Sequence, residues 1–398
     1  MASSSGRKRL LVLGAGPAQL GLLEAARAQG MFTIVVDRDP GAIGFALASR
    51  RAIISTEDER GIERLVAAER VDGVIAPGID WPVGIAARVA AKHGLPHPLE
   101  PSVAGLAVSK ARQRERLDVA RVPQPRWKLV SRPEAGLPVP AVVKAPDRQG
   151  QRGLSVVRDE RELSAAIETA LEASRNDSAL VEELVEGPEV TVNAYSIHGR
   201  FYALTVTDRL TAEPPAFGVA LAHVWPPEAD VDGAAAALAR RAVEALGIQQ
   251  GPTYTQVRFG ADGPRIMEVA ARLGGGHDAE LCEAALGVDL NALALAAALG
   301  EEVEPPVPER RVGGACTAFL VPSPGELVAL EGEEEARRGE GIVFVRVYRR
   351  PGFRFGEFRT GSDRAGAVLA TGASREEALE RAKGGAALLR FETDAALV

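Results

Sequence analysis

Cysteine is nearly absent from this chain, which has only Cys282 and Cys316 among its 398 residues. Two cysteines cannot build the disulfide framework of a small secreted domain, nor a metal site made of several thiolates. Neither residue has a visible neighbouring base that would make it a good nucleophile. The sequence therefore predicts a protein of a reducing compartment, the cytoplasm, whose chemistry does not depend on sulfur.

Long apolar runs and an excess of positive charge are also missing. No stretch approaches the ~18 apolar residues of a membrane span, and the first apolar segment, residues 10–14, is too short for a signal peptide. A formal net charge of -7 opposes general nucleic-acid binding, which needs concentrated Lys and Arg. We therefore expect a soluble globular protein with neither a membrane nor a nucleic acid as partner.

What the sequence does contain is an alternation of short apolar strands (10–14, 33–37, 73–76) with helical segments (18–30, 61–69, 83–94). This alternation is typical of a parallel sheet with crossover helices. Gly14, Gly16 and Gly21, with Asp37 further on, resemble a dinucleotide-binding loop. The third glycine comes two residues too late for G-x-G-x-x-G. We therefore favour a tight strand-to-helix turn over an NAD or FAD site.

A different pattern begins at Ala141-Val-Val-Lys144, where two short strands flank a polar loop that contains Gly150 and Gly153. Further segments follow along the chain: a helix over 160–173, strands beginning at 179, 189 and 200, helices over 234–246 and 290–299, and a proline-rich connection over 301–308. The C-terminal section is predicted to have strands near 314–320, 342–348 and 366–370, and a helix over 374–389. We interpret the charge run 331–340 as a solvated turn or helix.

Several charged residues stand where a nucleotide site would need them. Lys144 ends an apolar strand just before the glycine loop, so its ammonium can meet phosphate oxygens while loop N–H groups bind others. The linker 182–185 can hydrogen-bond an adenine edge through its backbone, and Glu189 can accept from ribose hydroxyls. Glu268, on a later strand, can hold Mg²⁺ together with phosphate oxygens. Singly, each would be an ordinary surface or core charge; their order along the chain indicates a nucleotide site.

This order resembles the ATP-grasp superfamily of carboxylate-amine ligases with a pre-ATP-grasp domain in front. The matching segments are S-K-A-R-Q-R-E-R-L around Lys110, P-A-V-V-K-A-P-D-R-Q-G-Q-R-G around Lys144, V-E-E-L-V-E-G-P-E-V-T-V around Glu182, and M-E-V-A-A-R-L-G-G-G around Glu268. T-G-A-S-R-E-E-A-L-E-R-A, residues 371–382, is similar to the tail of the bacterial L-amino-acid ligase branch.

The resemblance implies an α/β and α+β chain: an ATP-grasp fold with an N-terminal Rossmann-like parallel-sheet domain, a small lid lobe and a larger C-terminal lobe. The expected division is a Rossmann-like domain over 1–103, the small lobe with the lid loop over 104–187, the large lobe with the metal site over 188–303, and a C-terminal subdomain over 304–398.

The resemblance also implies roles for individual residues. Lys110 and Lys144 would contact the phosphates of ATP, the loop with Gly150 and Gly153 would close as a lid, and the segment with Glu182, Glu183 and Val185 would bind adenine, with Glu189 nearby. Glu268 would ligate Mg²⁺ or Mn²⁺, and Arg272 would hold the substrate carboxylate or the acyl phosphate. The alternative for Glu268 and Arg272 is an exposed salt bridge that contributes little.

Two positions depart from the family pattern. Gln256 stands where a second acidic metal ligand is common, and Ala270 stands where Asn is common. Gln256 still offers a carbonyl oxygen, so we expect weaker or single-ion metal binding.

Substrate contacts are expected at polar residues near these segments: Asp208, Arg209, His223, Arg258 and His277. Arg258 alternates with Gln256 on one strand and should face the same side. His223 could equally be a satisfied strand histidine, and Asp208-Arg209 a turn ion pair.

The sequence thus predicts an enzyme that activates a small carboxylate, such as an amino acid, as an acyl phosphate and couples it to an amine, with release of ADP and phosphate. Three alternatives stay open: a purine-biosynthesis-type or carboxylase-type ATP-grasp enzyme, an ATP-binding relative without turnover, and, least favoured, an NAD-dependent oxidoreductase. The oligomeric state is also open, with a homodimer among the alternatives.

Overall fold

A computed structural model describes residues 6–134, 136–148, 150–230 and 232–394. The chain begins with a parallel sheet in the order β3-β2-β1-β4. Its strands are β1 (Arg9–Leu13), β2 (Phe32–Asp37), β3 (Arg50–Ile53) and β4 (Gly73–Ile75), and its helices are α1 (Leu20–Ala28), α2 (Glu59–Glu69) and α3 (Trp81–His93). The strand–helix alternation predicted for this region is confirmed. Strand β3 was missed because R-R-A-I shows no apolar alternation, and all of its residues but the half-buried Ala52 are exposed.

Two helices, α4 (Pro101–Ala107) and α5 (Lys110–Val119), connect this sheet to a small antiparallel one in the order β5-β8-β6-β7. Its elements are β5 (Trp127–Val130), β6 (Ala141–Lys144), β7 (Ser155–Val157), α6 (Glu160–Ala173) and β8 (Ala179–Glu183). Apolar residues of α6 pack on one face of the sheet in a separate core that includes Val143, Ile167 and Val181. The predicted strand–loop–strand over 141–157 and the helix over 160–173 are confirmed.

In the described chain, the largest sheet has eight strands in the order β13-β12-β9-β10-β11-β14-β18-β16. The first part comprises β9 (Glu189–Ile197), β10 (Arg200–Thr211), β11 (Ala220–Trp225), α7 (Ala234–Ala245), β12 (Gly251–Gly260), β13 (Gly263–Ala270), α8 (Asp278–Leu286) and α9 (Leu290–Ala298). Strand β9 is buried along its whole length because β12 and β10 flank it and helices cover the sheet.

The C-terminal section comprises β14 (Gly314–Leu320), β15 (Gly325–Glu331), α10 (Glu333–Arg337), β16 (Ile342–Val347), β17 (Arg354–Phe355), β18 (Gly366–Gly372), α11 (Arg375–Leu388) and β19 (Arg390–Asp394). Strands β14, β18 and β16 extend the large sheet, while β17, β15 and β19 form a separate small one. The large sheet therefore runs across the predicted boundary at 303/304. No helix within the described ranges is both long and apolar enough to cross a membrane.

Candidate active site

A cavity of about 650 Å³ lies where the N-terminal sheet, the small sheet and the large sheet meet. Its size is in the range of small-molecule sites. Most of the residues predicted to form the site line it: Lys110, Lys144, Gly150, Glu182, Glu183, Val185, Glu189, Arg209, His223, Gln256, Arg258, Glu268 and Arg272. Residues far apart in the sequence are thus brought to one place by the three sheets.

Lys144 and Glu182 form a buried charge cluster with Arg114. Because β6 and β8 are neighbours in the small sheet, Lys144 Nζ reaches Glu182 Oε2 at 2.8 Å. Arg114 from α5 donates to Glu182 Oε1 at 2.7 Å. Burial raises the pKa of Glu182, but Arg114 and Lys144 outweigh it and hold the pKa at about 2. The pKa of Lys144 is lowered, mainly by burial. The charges of Arg114 and Lys110 lower this pKa further, whereas Glu182 raises it.

Lys110 and Glu268 form a second pair that lines the same cavity. Lys110 is the first residue of α5, and its Nζ lies 2.8 Å from Glu268 Oε1 on β13. It also donates to the carbonyl oxygen of Arg148 at 2.8 Å. Burial lowers the pKa of Lys110, yet Glu268 and other carboxylates outweigh it and raise the pKa above its usual value. The same pairing lowers the pKa of Glu268 against the effect of burial, so both groups are charged.

Gln256 lies directly opposite Glu268 in the β12–β13 ladder. Both side chains line the cavity, and Gln256 Nε2 donates to the hydroxyl of Tyr254 at 3.3 Å. Among the residues that the structure describes, no group of three His, Cys, Asp or Glu could hold a metal by itself. One carboxylate and one amide oxygen suit a Mg²⁺ ion whose remaining ligands are phosphate oxygens and water. This donor set fits a metal that arrives with a nucleotide.

Arg272 stands just beyond the end of β13 and lies over the ring of Tyr254, 5.2 Å from its centroid. Its Nε donates to Asp80 Oδ1 at 2.7 Å. Burial lowers the pKa of Arg272, but Asp80, Tyr254 and Glu268 outweigh it and the pKa is raised. The glycines that follow allow a close approach: a Cβ at Gly276 would lie 2.6 Å from Cε1 of His223.

His223 and Asp278 form a buried pair beside these glycines. His223 Nδ1 lies 2.9 Å from Asp278 Oδ1. Burial raises the pKa of Asp278, but His223, the Gly276 N–H and Asn193 outweigh it and lower the pKa. Among the described residues, Nε2 of His223 has no hydrogen-bond partner although it is buried. The residue also lines the cavity.

Each carboxylate oxygen of Glu189 accepts a hydrogen bond from an arginine. Arg209 Nη1 donates to Oε1 at 2.8 Å, and Arg258 Nη2 donates to Oε2 at 2.5 Å. Arg258 also donates to the carbonyl oxygen of Val185 at 3.1 Å. A carboxylate keeps further lone pairs, so Glu189 can still accept from a ligand, but its position is fixed by the two arginines.

The loop between β6 and β7 lies over the cavity. Gly150 adopts φ +65°, which favours glycine, and Gln151 Nε2 donates to the carbonyl oxygen of Phe217, another lining residue, at 3.3 Å. Gly153 was expected to contact the nucleotide as part of the lid, but it does not line the cavity. A Cβ there would lie 2.5 Å from Cβ of Ala173, so its absence lets the loop pack on α6.

Two predicted substrate contacts, Asp208 and His277, do not line the cavity. Asp208 and Arg209 point to opposite faces of β10, and Asp208 accepts from the N–H of Glu228 at 2.7 Å and from Arg375 at 2.6 Å. These contacts tie Asp208 to the turn after β11 and to the start of α11. His277 is buried at the start of α8, and its ring contacts Glu280 and the hydroxyl of Tyr348.

Sequence reasoning missed several lining residues: Asp80, Tyr254, Phe319, Tyr348 and Arg364. Tyr254 could have been found, because it alternates with Gln256 and Arg258 on β12 and so shares their face. Phe319, Tyr348 and Arg364 lie far along the chain from the glycine run 274–276, and no local sequence pattern marks them as site residues.

Comparisons with known proteins match two segments to family models. Residues 137–280 match the ATP-grasp domain, and residues 318–394 match the L-amino acid ligase C-terminal domain 2. The chain is 26% identical over 377 residues to the uncharacterized protein y4rH of Sinorhizobium fredii, covering 89% of this chain and 77% of that one. It is 26% identical over 340 residues to carnosine synthase 1 of Gallus gallus, covering 76% of this chain but 36% of that protein.

Solved structures share the fold. An L-amino acid ligase from Bacillus licheniformis has a TM-score of 0.82 at 22% identity, covering 98% of this chain and 100% of that one. A phosphoribosylglycinamide synthetase from Anaerococcus prevotii has a TM-score of 0.77 at 19% identity, with 98% and 100% coverage. At these identities the likeness concerns the fold alone.

Proposed function

We propose that this chain, which belongs to the ATP-grasp superfamily of carboxylate-amine ligases and has the C-terminal domain of the L-amino acid ligases, couples an amino acid or similar small carboxylate to an amine. The observation that supports this most directly is the convergence of Lys110, Lys144, Glu268 and Arg272 on one cavity. These are two cations for phosphates, a carboxylate for a metal, and a cation for a substrate carboxylate.

The reaction has two steps. A carboxylate oxygen attacks the γ-phosphorus of ATP, the bond to the bridging oxygen breaks, and ADP leaves. The amine nitrogen then attacks the acyl carbon, the bond to the phosphate oxygen breaks, and phosphate leaves while the amine loses a proton. Such transfers need positioning and neutralisation of charge more than a nucleophilic side chain. This agrees with the two cysteine thiols, whose pKa burial raises to about 12.

In the first step, Lys144 and Lys110 would exchange part of their contact with carboxylates for phosphate oxygens. Lys144 can do so without leaving Glu182 unpaired, because Arg114 holds the other oxygen of that carboxylate. Glu268, with the carbonyl oxygen of Gln256, would hold Mg²⁺. When bound, this ion would neutralise charge on the β- and γ-phosphates.

In the second step, His223 would take the proton that the amine loses. Its ring lines the cavity, its Nε2 has no hydrogen-bond partner in the described chain, and its Nδ1 lies 2.9 Å from Asp278 Oδ1. Arg272 would hold the donor carboxylate for attack and then the acyl phosphate.

A purine-type reaction is the second candidate, since phosphoribosylglycinamide synthetase has the same fold. Gly16 lines the cavity, and free N–H groups at the Gly14–Gly16 turn, which precedes a helix, would favour the phosphate of such a substrate. Here the N–H of Ala15 donates to Asp37 Oδ2 at 2.9 Å, and that of Gly16 donates to Gln19 Oε1 at 2.8 Å. Because the turn is satisfied internally and has a carboxylate beside it, we favour the amino-acid reaction.

The test is release of ADP and phosphate with Mg-ATP, over pairs of amino acids and small carboxylates with amines, with product masses measured in parallel. A pair that releases ADP and gives a product lighter than the two substrates by one water identifies the ligase. Lys144→Met should lose at least about 100-fold in rate. The control is Lys92→Met, which removes an exposed lysine paired with Glu63 and should retain full rate.

The variant also separates catalysis from folding. Glu182 keeps Arg114 in Lys144→Met, so circular dichroism and the melting temperature should stay close to those of the wild-type protein. ATP binding without ADP release for every pair would contradict the proposal and favour the relative without turnover.

A further inference from the structure

Tyr348 is a residue of the cavity wall that the proposed reaction does not yet use. It lies just after β16, lines the cavity and is largely buried. Its hydroxyl forms a hydrogen bond with Nε2 of His277, and no other hydrogen bond of this hydroxyl is found among the described residues. Which of the two groups donates therefore decides what the hydroxyl can offer to a ligand.

Arg346 decides which nitrogen of His277 carries the hydrogen. Its Nη1 lies 2.8 Å from Nδ1 of the imidazole. Because a guanidinium has donors and no acceptor, Nδ1 accepts from Arg346, and the hydrogen of the neutral ring is on Nε2. The charged imidazolium also carries a hydrogen on Nε2. In both forms His277 donates, and the oxygen of Tyr348 accepts.

Contacts from three parts of the chain hold Arg346 in this orientation. It donates to Glu280 on α8 and to Glu24 on α1. Its Cζ lies 4.2 Å from the ring centroid of Phe344, and the same ring contacts the imidazole of His277 edge-on at 5.2 Å. The direction of the hydrogen bond from the imidazole to the tyrosine hydroxyl is therefore set by the fold.

The hydroxyl of Tyr348 keeps its own hydrogen for another acceptor. Burial raises the pKa of Tyr348 above its usual value, so the side chain is a neutral phenol at pH 7. A phenol that accepts one hydrogen bond can donate a second, and the first strengthens the second. Since a buried donor without an acceptor is unfavourable, a ligand atom in the cavity is the partner that would satisfy it.

The place of Tyr348 in the chain favours the substrate over ATP as this ligand. Lys144 and Glu268, proposed for phosphate and metal, lie within residues 137–280, which match the ATP-grasp domain. Tyr348 lies within residues 318–394, which match the L-amino acid ligase C-terminal domain 2. The hydroxyl thus comes from the section that distinguishes this branch, and not from the section common to ATP-dependent relatives.

We infer that the hydroxyl of Tyr348 donates a hydrogen bond to an oxygen of the carboxylate that is activated, and that His277 is the positioning residue that orients this donor. The inference rests on the proposed function, which supplies the acyl group. The oxygen is negatively charged in the free carboxylate and again when the amine adds to the acyl phosphate, and a fixed donor stabilises both charges. The hydroxyl keeps its proton throughout.

The experiment measures ADP release and hydroxamate formation with Mg-ATP and hydroxylamine, which attacks an acyl phosphate. The proteinogenic L-amino acids, β-alanine and acetate are tested as the activated carboxylate, and the one that the wild-type enzyme uses fastest is kept. Tyr348→Phe retains the ring and removes the hydroxyl. It should lower kcat/KM for that carboxylate at least about tenfold, the scale of a lost hydrogen bond to a charged group, and leave the KM for ATP unchanged.

The control is Tyr195→Phe. Tyr195 is also buried, but it does not line the cavity, and its hydroxyl donates to the carbonyl oxygen of Leu293 at 3.0 Å. Loss of this hydroxyl should leave kcat/KM unchanged. Circular dichroism and the melting temperature of each variant show whether it is folded.

Two substitutions of His277 test its positioning role. Both His277→Gln and His277→Leu stand at φ +60°, so the backbone strain is common to them. Glutamine keeps N–H donors and leucine has none, so kcat/KM should fall further in His277→Leu. The double variant with Tyr348→Phe should be no slower than the slower single variant, because a residue that acts through the hydroxyl has no further effect once the hydroxyl is absent.

The outcomes separate this inference from the proposed function. Wild-type hydroxamate formation with an unchanged kcat/KM in Tyr348→Phe overturns the inference and leaves the ligase intact. A raised KM for ATP alone also overturns it, because the hydroxyl would then serve the nucleotide. Losses that multiply in the double variant overturn the role of His277. Absence of ADP release and of hydroxamate from the wild-type enzyme, with every carboxylate, overturns the proposed function and the inference with it.

Discussion

Replacement of Arg114 by methionine is the substitution whose effect on stability can be worked out furthest. Arg114 is almost fully buried and donates to Glu182, to the carbonyl oxygens of Ile266 at 3.0 Å and Met267 at 2.6 Å, and to Gln124 at 3.2 Å. It therefore ties α5 to both the small sheet and β13. Removal of one partner of a buried ion pair costs about 3–5 kcal/mol, and the two carbonyls lose their donor.

The pKa of Glu182 gives an independent magnitude for part of this cost. Its pKa falls from 4.5 to about 2 in the folded chain, a difference of about 2.5 units, which at 1.36 kcal/mol each corresponds to about 3 kcal/mol. Because the folded pKa is depressed, this stability is present above pH 4.5 and is lost as the pH falls toward 2. Arg114→Met should raise the pKa of Glu182 and so remove much of that contribution, although Lys144 retains some.

The assay is urea unfolding followed by intrinsic fluorescence and circular dichroism at pH 7, repeated at pH 3.5. At pH 7 we expect Arg114→Met to lose about 3–5 kcal/mol, and the gap from wild type to narrow at pH 3.5. The control is Arg116→Met, on the same helix but exposed, whose guanidinium bonds a single carbonyl, that of Ala245; it should lose less than about 1 kcal/mol. Equal losses in the two variants would refute the reasoning.

Two further predictions concern the metal and the thiols. Gln256→Glu places a second carboxylate opposite Glu268 and should lower the Mg²⁺ concentration that half-saturates ADP release several-fold, since hard cations prefer anionic oxygen ligands. The control Gln29→Glu, at an exposed position, should leave that concentration unchanged. An unchanged half-saturation in Gln256→Glu would argue against a metal there. Cys282 and Cys316 are buried with the pKa of each raised to about 12, so neither should react with a thiol reagent at pH 8 until urea unfolds the chain; rapid labelling of the native protein would contradict their burial.

The residues that could be placed from sequence are those whose neighbours in the chain define their setting. Lys144 ends an apolar strand before a glycine loop, and Glu268 lies on an apolar strand before a glycine run. Both residues line the cavity. Side-chain direction was harder to predict. Asp208 and Arg209 are adjacent, yet strand pleating sends only Arg209 to the cavity.

Long-range pairing could not be predicted in the same way. That Arg114 would stabilise Glu182, or that Arg364 would stack on Phe319, depends on how separate sheets pack together. The exposed edge strand β3 was missed for a related reason, because its residues carry no apolar alternation and its place is set by pairing with β2.

The continuous ladder from β11 through β14 to β18 limits how such an enzyme can be re-engineered. Ala222 pairs with Ala318, and Ala318 pairs with Val368, in strands buried along nearly all their length. A chain truncated near residue 303 would leave β11 as an exposed apolar edge strand, which promotes aggregation. If the whole C-terminal section were exchanged between relatives, the pairing of β11 with β14 would have to be formed again with the new section. Exchange of only the turn 360–364, which lines the cavity and lies before the paired residues of β18, would change the cavity wall while every strand keeps its partners.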